Sequence, residues 1–279
     1  MKNTFILGVG AQKAGTTWLH QYLKLSPHFN PGLMKEYHIW DALCIDSRRK
    51  YLVKDNREPR VDNVDLFPLG IASREEILTL RGLIQSDSIP YEQYFAELMY
   101  GEFNSTGDIT PAYAGLQAHS YALIKNRLES AGFKVKVVFL MRDPVERCLS
   151  AIRIQIRKTQ TGEVAELLRV KYRSGGFSLR TSYHRTILEL EKVFEPKDIY
   201  YGIYEEMFTE ANIEKLSHFC GVPTNFAAGS KLVNAGYDHT PIDFLLTKEI
   251  SDFYSDVYDF CEKRFPQTKL LWRDRLPLH

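Results

Sequence analysis

Apolar residues along the chain follow two different spacings, and the segments with these spacings alternate. Thr4–Gly10, Val135–Leu140 and Ile199–Tyr204 are short runs of apolar and β-branched residues, which is the pattern of buried strands. Elsewhere apolar side chains recur every three or four positions, which predicts helices. These predicted helices cover Thr16–Leu25, Tyr91–Met99, Leu116–Ala131, Ile213–Cys220 and Lys248–Phe265, and another begins at Pro144 after the N-cap residue Asp143.

The alternation of strands and helices predicts an α/β fold with a central parallel sheet that helices cover on both faces. In such sheets ligands bind beyond the carboxyl ends of the strands. Two polar segments, Gly10–Thr17 and Arg142–Asp143, directly follow predicted strands. We therefore expect both segments at the ligand-binding edge of the sheet.

The length of 279 residues suits one large domain or two small ones. No linker, internal repeat or low-complexity tract divides the chain, so we expect a single domain over residues 1–279. A content of 44% hydrophobic and 25% charged residues is that of an ordinary globular protein. Two polar stretches without periodicity, Asp46–Asn63 and Lys158–Gly176, are expected to be surface loops.

The charge balance argues against several kinds of partner. Lys and Arg number 36 against 35 Asp and Glu, whereas proteins that bind nucleic acids or membrane surfaces usually carry a basic excess. No segment approaches the roughly 20 apolar residues of a membrane span. The cysteines lack metal-ligand spacing and are expected to be buried and reduced in a cytoplasmic protein without a bound metal; they are Cys44, Cys148, Cys220 and Cys261.

The segment Gly10–Thr17, with the sequence GAQKAGTT, is an anion-site candidate. Its glycines allow a tight turn, and the following helix offers the positive end of its dipole. The segment nearly matches the Walker pattern GxxxxGK[ST], but Thr16 stands at the lysine position and Lys13 lies inside the loop. A simple connecting turn is the alternative reading, which the lysine and two threonines make less favourable.

Two further segments carry candidate chemistry. Arg142 ends a predicted strand, where a guanidinium can bind phosphate, and the hydroxyl of Ser150 follows eight residues later. Each residue alone would be an ordinary surface or helix residue. Glu36 and His38 form an acid–base pair within the segment MKEYHIWD, for which a strand with charged residues at its edge is the alternative.

These segments together resemble sulfotransferases that use 3′-phosphoadenosine 5′-phosphosulfate (PAPS). GAQKAGTTWL resembles the 5′-phosphosulfate loop of that family, with the TTW of its cytosolic members, and the apolar run followed by RDPxxRxxS is similar to its 3′-phosphate site. MKEYHIWD resembles the KExHFFD segment of the branch that includes the heparan-sulfate enzymes. The resemblance implies a P-loop-like sulfotransferase fold.

The resemblance also implies roles for individual residues. Lys13 would contact the phosphosulfate bridge, Arg142 and Ser150 the 3′-phosphate, and Trp18 the adenine, although Trp18 also suits the apolar face of its helix. Glu36 would be the catalytic base, with His38 beside it and His119 as a rival base. The full set of expected nucleotide-binding residues is Gln12, Lys13, Ala14, Gly15, Thr16, Thr17, Trp18, Arg142, Ser150, Tyr183 and Lys231.

The expected reaction is direct transfer of a sulfuryl group from PAPS to a hydroxyl or amine of a small metabolite or saccharide, with PAP as the product. The segment Gly107–Tyr113 departs from the family's E-K-[ST]-P-x-Y element, because Asp108 and Ile109 replace its acid and lysine. The lost lysine disfavours a long acidic acceptor. Two alternatives remain: a P-loop kinase, disfavoured by the absent Walker lysine, and a non-catalytic nucleotide-binding regulator, disfavoured by Glu36 and His38. The sequence leaves the oligomeric state open.

Overall fold

Five strands form one sheet in which every neighbouring pair is parallel. The computed structural model describes residues 3–53, 73–230 and 242–273. Along the sheet the order is β2-β3-β1-β4-β5. The strands are β1 (Thr4–Gly10), β2 (Phe29–Asn30), β3 (Ser105–Ile109), β4 (Lys134–Met141) and β5 (Ile199–Ile203). The prediction of an α/β fold with a central parallel sheet is confirmed.

Fourteen α-helices of the described residues surround this sheet. Three short 3-10 helices, Asp46–Tyr51, Pro111–Gly115 and Pro196–Asp198, lie in its connections. No helix in the described ranges combines the length and apolar character needed to cross a membrane. The α-helices are α1 (Thr16–Lys24), α2 (Trp40–Cys44), α3 (Arg74–Gln85), α4 (Tyr91–Glu97), α5 (Ala118–Ser130), α6 (Pro144–Thr159), α7 (Val164–Lys171), α8 (Gly175–Thr181), α9 (Tyr183–Glu191), α10 (Glu210–Cys220), α11 (Phe226–Gly229), α12 (Phe244–Phe253), α13 (Ser255–Arg264) and α14 (Thr268–Arg273).

The two central strands are buried on both faces, as their continuous apolar sequences require. The ring of Phe5 in β1 packs edge-on against Phe95 of α4, with 4.8 Å between ring centroids. The ring of Phe139 in β4 packs against Tyr183 of α9, with 5.9 Å between ring centroids. Burial of these rings anchors α4 and α9 to the sheet.

The structure corrects three of the sequence predictions. Lys248–Phe265 is two helices, α12 and α13, because Tyr254 leaves the helical path and its hydroxyl donates to the carbonyl of Tyr172 at 2.6 Å. Lys158–Gly176 is not a loop, since it contains α7, which buries Leu168. Cys44 is exposed, whereas the other three cysteines are buried. Of Asp46–Asn63, the first six residues form a 3-10 helix, and residues 54–63 lie outside the described ranges.

A strand that the periodicity did not predict, β3, carries a buried carboxylate that connects several elements. Asp108 is fully buried and accepts hydrogen bonds from the hydroxyls of Tyr91 (3.0 Å), Tyr113 (2.7 Å) and Thr110 (2.6 Å). Burial raises the pKa of Asp108 to about 6, and the three hydroxyls act in the opposite direction. Thr110 in turn accepts the backbone N–H of Tyr37 at 3.0 Å, so the cluster ties the segment around residue 37 to the end of β3.

We expect Asp108→Ala to destabilise the protein strongly, because it leaves three buried hydroxyls without their acceptor. A lost buried partner costs roughly 1–3 kcal/mol, and the free energy of unfolding should fall by about 3 kcal/mol or more in urea titrations. Asp252→Ala is the matched control, since its carboxylate pairs with Lys248 on an exposed helix face. It should change stability by less than about 1 kcal/mol. Equal losses in the two variants would contradict the role given to Asp108.

Candidate functional site

A cavity of about 240 Å³ opens at the carboxyl edge of the sheet. The connections that follow β1, β3, β4 and β5 all contribute to its wall, as expected for a ligand site in a parallel sheet. The wall holds six basic side chains and one carboxylate, Glu36. The lining residues are Gln12, Lys13, Gly15, Thr16, Thr17, Trp18, Lys35, Glu36, His38, Arg48, Tyr51, Pro111, Arg142, Ser150, Ala151, Ile154, Gln155, Lys158, Phe177, Arg180 and Tyr204.

The loop between β1 and α1 forms one wall of the cavity. Gly15 precedes the helix with φ of 94°, and a Cβ there would lie 3.0 Å from the side chain of Met207, so glycine alone suits this position. Lys13 also has a positive φ, 75°, which a non-glycine residue adopts only when its surroundings hold it there. The loop therefore presents Lys13 and the N-terminus of a nine-residue helix to one space.

The charge of Lys13 is destabilised by its position. Burial, followed by the neighbouring ammonium of Lys35, lowers the pKa of Lys13 to about 8, although Glu36 acts in the opposite direction. A buried ammonium beside another cation is a strong binder of anions, because an anion relieves both penalties at once. This wall is thus suited to phosphate or sulfate oxygens.

The connection from β4 to α6 forms a second wall. The guanidinium of Arg142 lies over the ring of Tyr204 at 4.5 Å and pairs with Glu146 at 3.0 Å, while its Nε is buried without a hydrogen-bond partner. Asp143 caps α6 by accepting the N–H of Glu146 at 2.9 Å, as the sequence predicts. Ser150 lies on the cavity side of the same helix, together with Ala151, Ile154, Gln155 and Lys158.

The third wall carries a chain of alternating charges. Glu36 accepts a hydrogen bond from Lys35 Nζ at 2.6 Å through Oε1, and its Oε2 lies 3.4 Å from His38 Nε2. The other ring nitrogen of His38 lies 2.9 Å from Asp41 Oδ2. The same carboxylate oxygen of Asp41 accepts from Arg48 Nε at 3.1 Å. Cation and anion therefore alternate from Lys35 to Arg48.

These contacts set the protonation states of the pair at the centre of the chain. Burial disfavours the charged form of Glu36, but Lys35 and His38 outweigh it and hold the pKa of Glu36 well below its usual range. Burial likewise disfavours the imidazolium of His38, but the carboxylates of Asp41 and Glu36 raise its pKa above the ordinary value. At neutral pH the site therefore favours a charged Glu36 next to a protonated His38.

The segment that carries Glu36 and His38 is not a strand, so the alternative reading of an edge strand is wrong. Its backbone instead bonds to side chains of α3: Arg81 Nη2 donates to the carbonyl of Glu36 at 3.0 Å, and Gln85 Nε2 donates to that of His38 at 2.8 Å. His38 adopts a φ of 55°. These bonds fix an irregular backbone that turns both side chains toward the cavity.

Other residues expected at the site have different positions. Trp18 is one of the residues that line the cavity, but its indole is 2% exposed, stacks on Tyr22 and donates to the carbonyl of Gly229 at 2.9 Å. Tyr183 does not line the cavity, because its buried hydroxyl donates to the carbonyl of Arg142 at 2.8 Å. Ala14, which is fully buried, and the exposed His119 are not part of the wall either. Lys231 lies outside the described residues.

The structure adds basic residues that the motifs did not indicate. Lys35 and Arg48 belong to the charge chain, whereas Lys158 and Arg180 come from α6 and α8. Lys158 stands eight positions after Ser150 on the same helix face, so helical periodicity could have located it. No local signal distinguishes Arg48 or Arg180 from surface arginines, because the fold alone places them beside Glu36.

Comparison with known proteins is consistent with this architecture. The structure is similar to that of a sulfotransferase from Alicyclobacillus acidocaldarius, with 16% identity, a TM-score of 0.59, and coverage of 95% of this chain and 97% of that one. It also matches mouse sulfotransferase SULT7A1 complexed with PAP, with 12% identity, a TM-score of 0.49, and coverage of 97% and 89%. No curated protein matches the chain. At 16% identity the likeness to the Alicyclobacillus acidocaldarius protein supports the fold alone.

The sequence itself gives the more specific result. The profile of the sulfotransferase family matches residues 5–226, which include the β1–α1 loop, the charge chain, and the segment from Arg142 to Ser150. The match therefore covers most of the chain and every wall of the cavity. The prediction of a sulfotransferase, made from the three motifs, is confirmed: this chain belongs to the sulfotransferase family.

Proposed function

We propose that the protein transfers a sulfuryl group from PAPS to a hydroxyl or amine of a small acceptor. The observation that carries this proposal is the convergence of Lys13, Arg142 and Glu36 on one cavity. Two of them are cations on separate walls, suited to two anionic groups of one nucleotide. The third is a charged carboxylate that can accept a proton from an acceptor.

The walls match the two ends of the proposed donor. The N-terminus of α1, with Thr16, Thr17 and Lys13, would hold the 5′-phosphosulfate. Arg142 and Ser150 would hold the 3′-phosphate, for which Arg142 supplies a guanidinium with one unused buried nitrogen. ATP has no group at that position, so Arg142 would discriminate against it.

Lys13 and Glu36 would have different roles in the transfer of the sulfuryl group. The acceptor oxygen or nitrogen forms a bond to sulfur while the bond from sulfur to the bridging oxygen breaks, and that electron pair stays on the departing phosphate of PAP. Lys13 stabilises the charge that develops there. Glu36 takes the proton from the acceptor. A carboxylate with a low pKa suffices, because an acceptor atom that has begun to bond to sulfur is strongly acidic.

His38 supports Glu36 in this scheme and does not replace it. As an imidazolium clamped between Asp41 and Glu36, it has no free lone pair with which to take a proton. His119 is exposed and lies outside the cavity wall. Glu36 is therefore the group with both the position and the protonation state of a base, and His38 orients it.

The acceptor is proposed to be a small molecule. The cavity wall is formed by the connections after β1, β3, β4 and β5, so an acceptor must enter the cavity to reach Glu36. Ile109 is fully buried in β3 and cannot supply the cation that the heparan-type element would place there. A small metabolite or small saccharide fits these constraints better than a long acidic chain.

Nucleotide selectivity tests the donor. We expect PAP to raise the melting temperature and ATP not to, because only PAP offers a 3′-phosphate to Arg142 and Ser150. In calorimetric titrations Arg142→Met should weaken PAP binding by roughly 10- to 100-fold, the value of a charged hydrogen-bonded contact. The same substitution should leave the binding of 5′-AMP almost unchanged. Stabilisation by ATP in preference to PAP would contradict the proposal and favour a kinase.

The pH dependence of PAP binding tests Lys13. Because its pKa in the free protein is about 8, the ammonium loses its proton as the pH rises through that value. PAP affinity should therefore decline above about pH 8. Lys13→Arg, which stays charged, should show a flat profile over this range. A wild-type profile as flat as that of Lys13→Arg would show that Lys13 does not bind the phosphate.

The base is tested by Glu36→Gln, which keeps the shape of the side chain and removes its charge. The acceptor is the best substrate from a mass-detected screen of small alcohols, phenols and amines with PAPS. We expect kcat to fall on the order of 10²-fold or more, with the Kd for PAP changed by less than about threefold. Glu102→Gln, at an exposed turn, is the control and should have wild-type kcat. An unchanged kcat in Glu36→Gln would exclude this carboxylate as the base.

A further inference from the structure

The wall of the cavity beyond Glu36 and His38 is built from two arginines and two aromatic rings. Tyr51 stacks on His38 with 4.2 Å between ring centroids, and the guanidinium of Arg48 lies 4.4 Å above the same tyrosine ring. Phe177 and Arg180 lie three residues apart on α8 and both face the cavity. This group of four residues, Arg48, Tyr51, Phe177 and Arg180, is called the arginine wall below.

Arg180 differs from the other arginines around the cavity in its surroundings. Arg142 pairs with Glu146 and Arg48 with Asp41, whereas no carboxylate of the described residues lies within ion-pair distance of Arg180. Its neighbours include two further guanidiniums, those of Arg48 and Arg147. Burial, and then repulsion from these two, lowers the pKa of Arg180 to about 10, although Tyr51 and Glu36 act in the opposite direction.

Arg147 makes the region more positive still. It is fully buried, its Nε and Nη1 have no hydrogen-bond partner, and its guanidinium lies 4.9 Å from the ring of Phe177. Asp41 is bound to both His38 and Arg48. Glu36 is likewise bound to Lys35 and His38. The nearby carboxylates are therefore already paired, and the arginine wall keeps an excess of positive charge.

A buried guanidinium without an anion is costly, because it loses hydration and gains no ion pair in return. A purely structural arginine would be expected to face a carboxylate or a set of carbonyls. Arg180 instead lines the cavity and has no ion pair with a carboxylate of the described residues. A ligand oxyanion at this point would satisfy the planar donor fork in a bidentate manner and relieve the repulsion from Arg48 and Arg147.

The donor nucleotide does not explain this positive charge. Its two phosphate-containing groups are already matched by the β1–α1 loop and by Arg142, on the walls formed after β1 and β4. The arginine wall lies instead with Glu36, His38 and Tyr51, where the acceptor must approach the proposed base. Its charge is therefore available to the acceptor.

Resting on the proposed sulfotransferase function, we propose that the acceptor is itself an anion, and that Arg180, with Arg48, binds its oxyanion group while its hydroxyl or amine points toward Glu36. The group is a carboxylate or a similar planar or tetrahedral oxyanion. The rings of Tyr51 and Phe177 flank it and contact the apolar part of the acceptor. Arg180 is thus a residue that determines specificity.

Matched pairs of probe compounds test this inference. Each pair consists of a neutral alcohol or phenol and the same compound with a carboxylate, such as phenol with 4-hydroxybenzoate and 1-hexanol with 6-hydroxyhexanoate. Their binding to the protein saturated with PAP is measured by calorimetry or ligand-observed NMR. We expect at least one acid to bind roughly tenfold or more tightly than its neutral partner. Arg180→Met should abolish that preference and leave the Kd for PAP unchanged.

Two further variants distinguish the effect of the Arg180 charge from a general effect of losing an arginine. Arg180→Lys keeps the charge without the planar fork and should retain part of the preference. Arg169→Met removes an arginine that is 52% exposed and outside the cavity wall, and it should behave as wild type. The inference is overturned if no acid exceeds its neutral partner in the wild-type protein. It is also overturned if Arg180→Met weakens both members of a pair equally.

The same titrations are repeated without PAP, so that this inference and the proposed function can fail separately. A protein that prefers the acids through Arg180 but does not bind PAP would contradict the proposed donor and leave the anion site standing. A protein that binds PAP and transfers sulfate from PAPS, but binds acids and neutral compounds equally well, would contradict the anion site and leave the proposed donor standing.

Discussion

The arrangement of the site depends on one electrostatic constraint: Glu36 must stay ionised although it is buried. Burial alone would protonate it. The ammonium of Lys35 at 2.6 Å and the imidazole of His38 at 3.4 Å reverse that tendency, and Asp41 keeps the imidazole protonated in turn. Each member of this series pairs with the next, so the charges of Glu36 and His38 both depend on their neighbours. A buried, ionised carboxylate in the cavity wall follows from these pairs.

Holding such a chain in place requires rigid support from parts of the fold that are distant in sequence. The backbone around Glu36 is bonded to Arg81 and Gln85 of α3, and to Thr110, which bonds in turn to the buried Asp108. These are polar contacts in a buried region, where each unpaired group would be costly. The bonds from Arg81, Gln85 and Thr110 hold the irregular backbone in place, as the role proposed for Glu36 requires.

The sequence could predict those parts of the site in which a charged side chain lies next to residues that also define the local strand or turn. Lys13 in a glycine turn and Arg142 at the end of an apolar strand both carry their structural context in the adjacent residues. The role of Asp108 could not be read in that way, since β3 has the sequence STGDI and lacks an apolar run. Arg180 likewise carries no local signal, because its position in the cavity wall depends on how α8 packs in the folded chain. Its lack of an ion pair among the described residues is also a property of three-dimensional packing.

Overall neutrality and a strongly basic cavity are compatible because charge is distributed unevenly. Six Lys and Arg side chains and one carboxylate line the cavity, while the chain as a whole carries a net charge of +1. The field of the cavity is screened beyond about 8 Å at physiological ionic strength, and the rest of the chain adds no positive charge to it. The chain outside the cavity is in fact slightly acidic, because the cavity residues carry more positive charge than the whole chain does. A long polyanion would need basic surface along its whole length, whereas a small anion needs only the interior. The charge distribution therefore favours an acceptor that enters the cavity over one that lies across the surface.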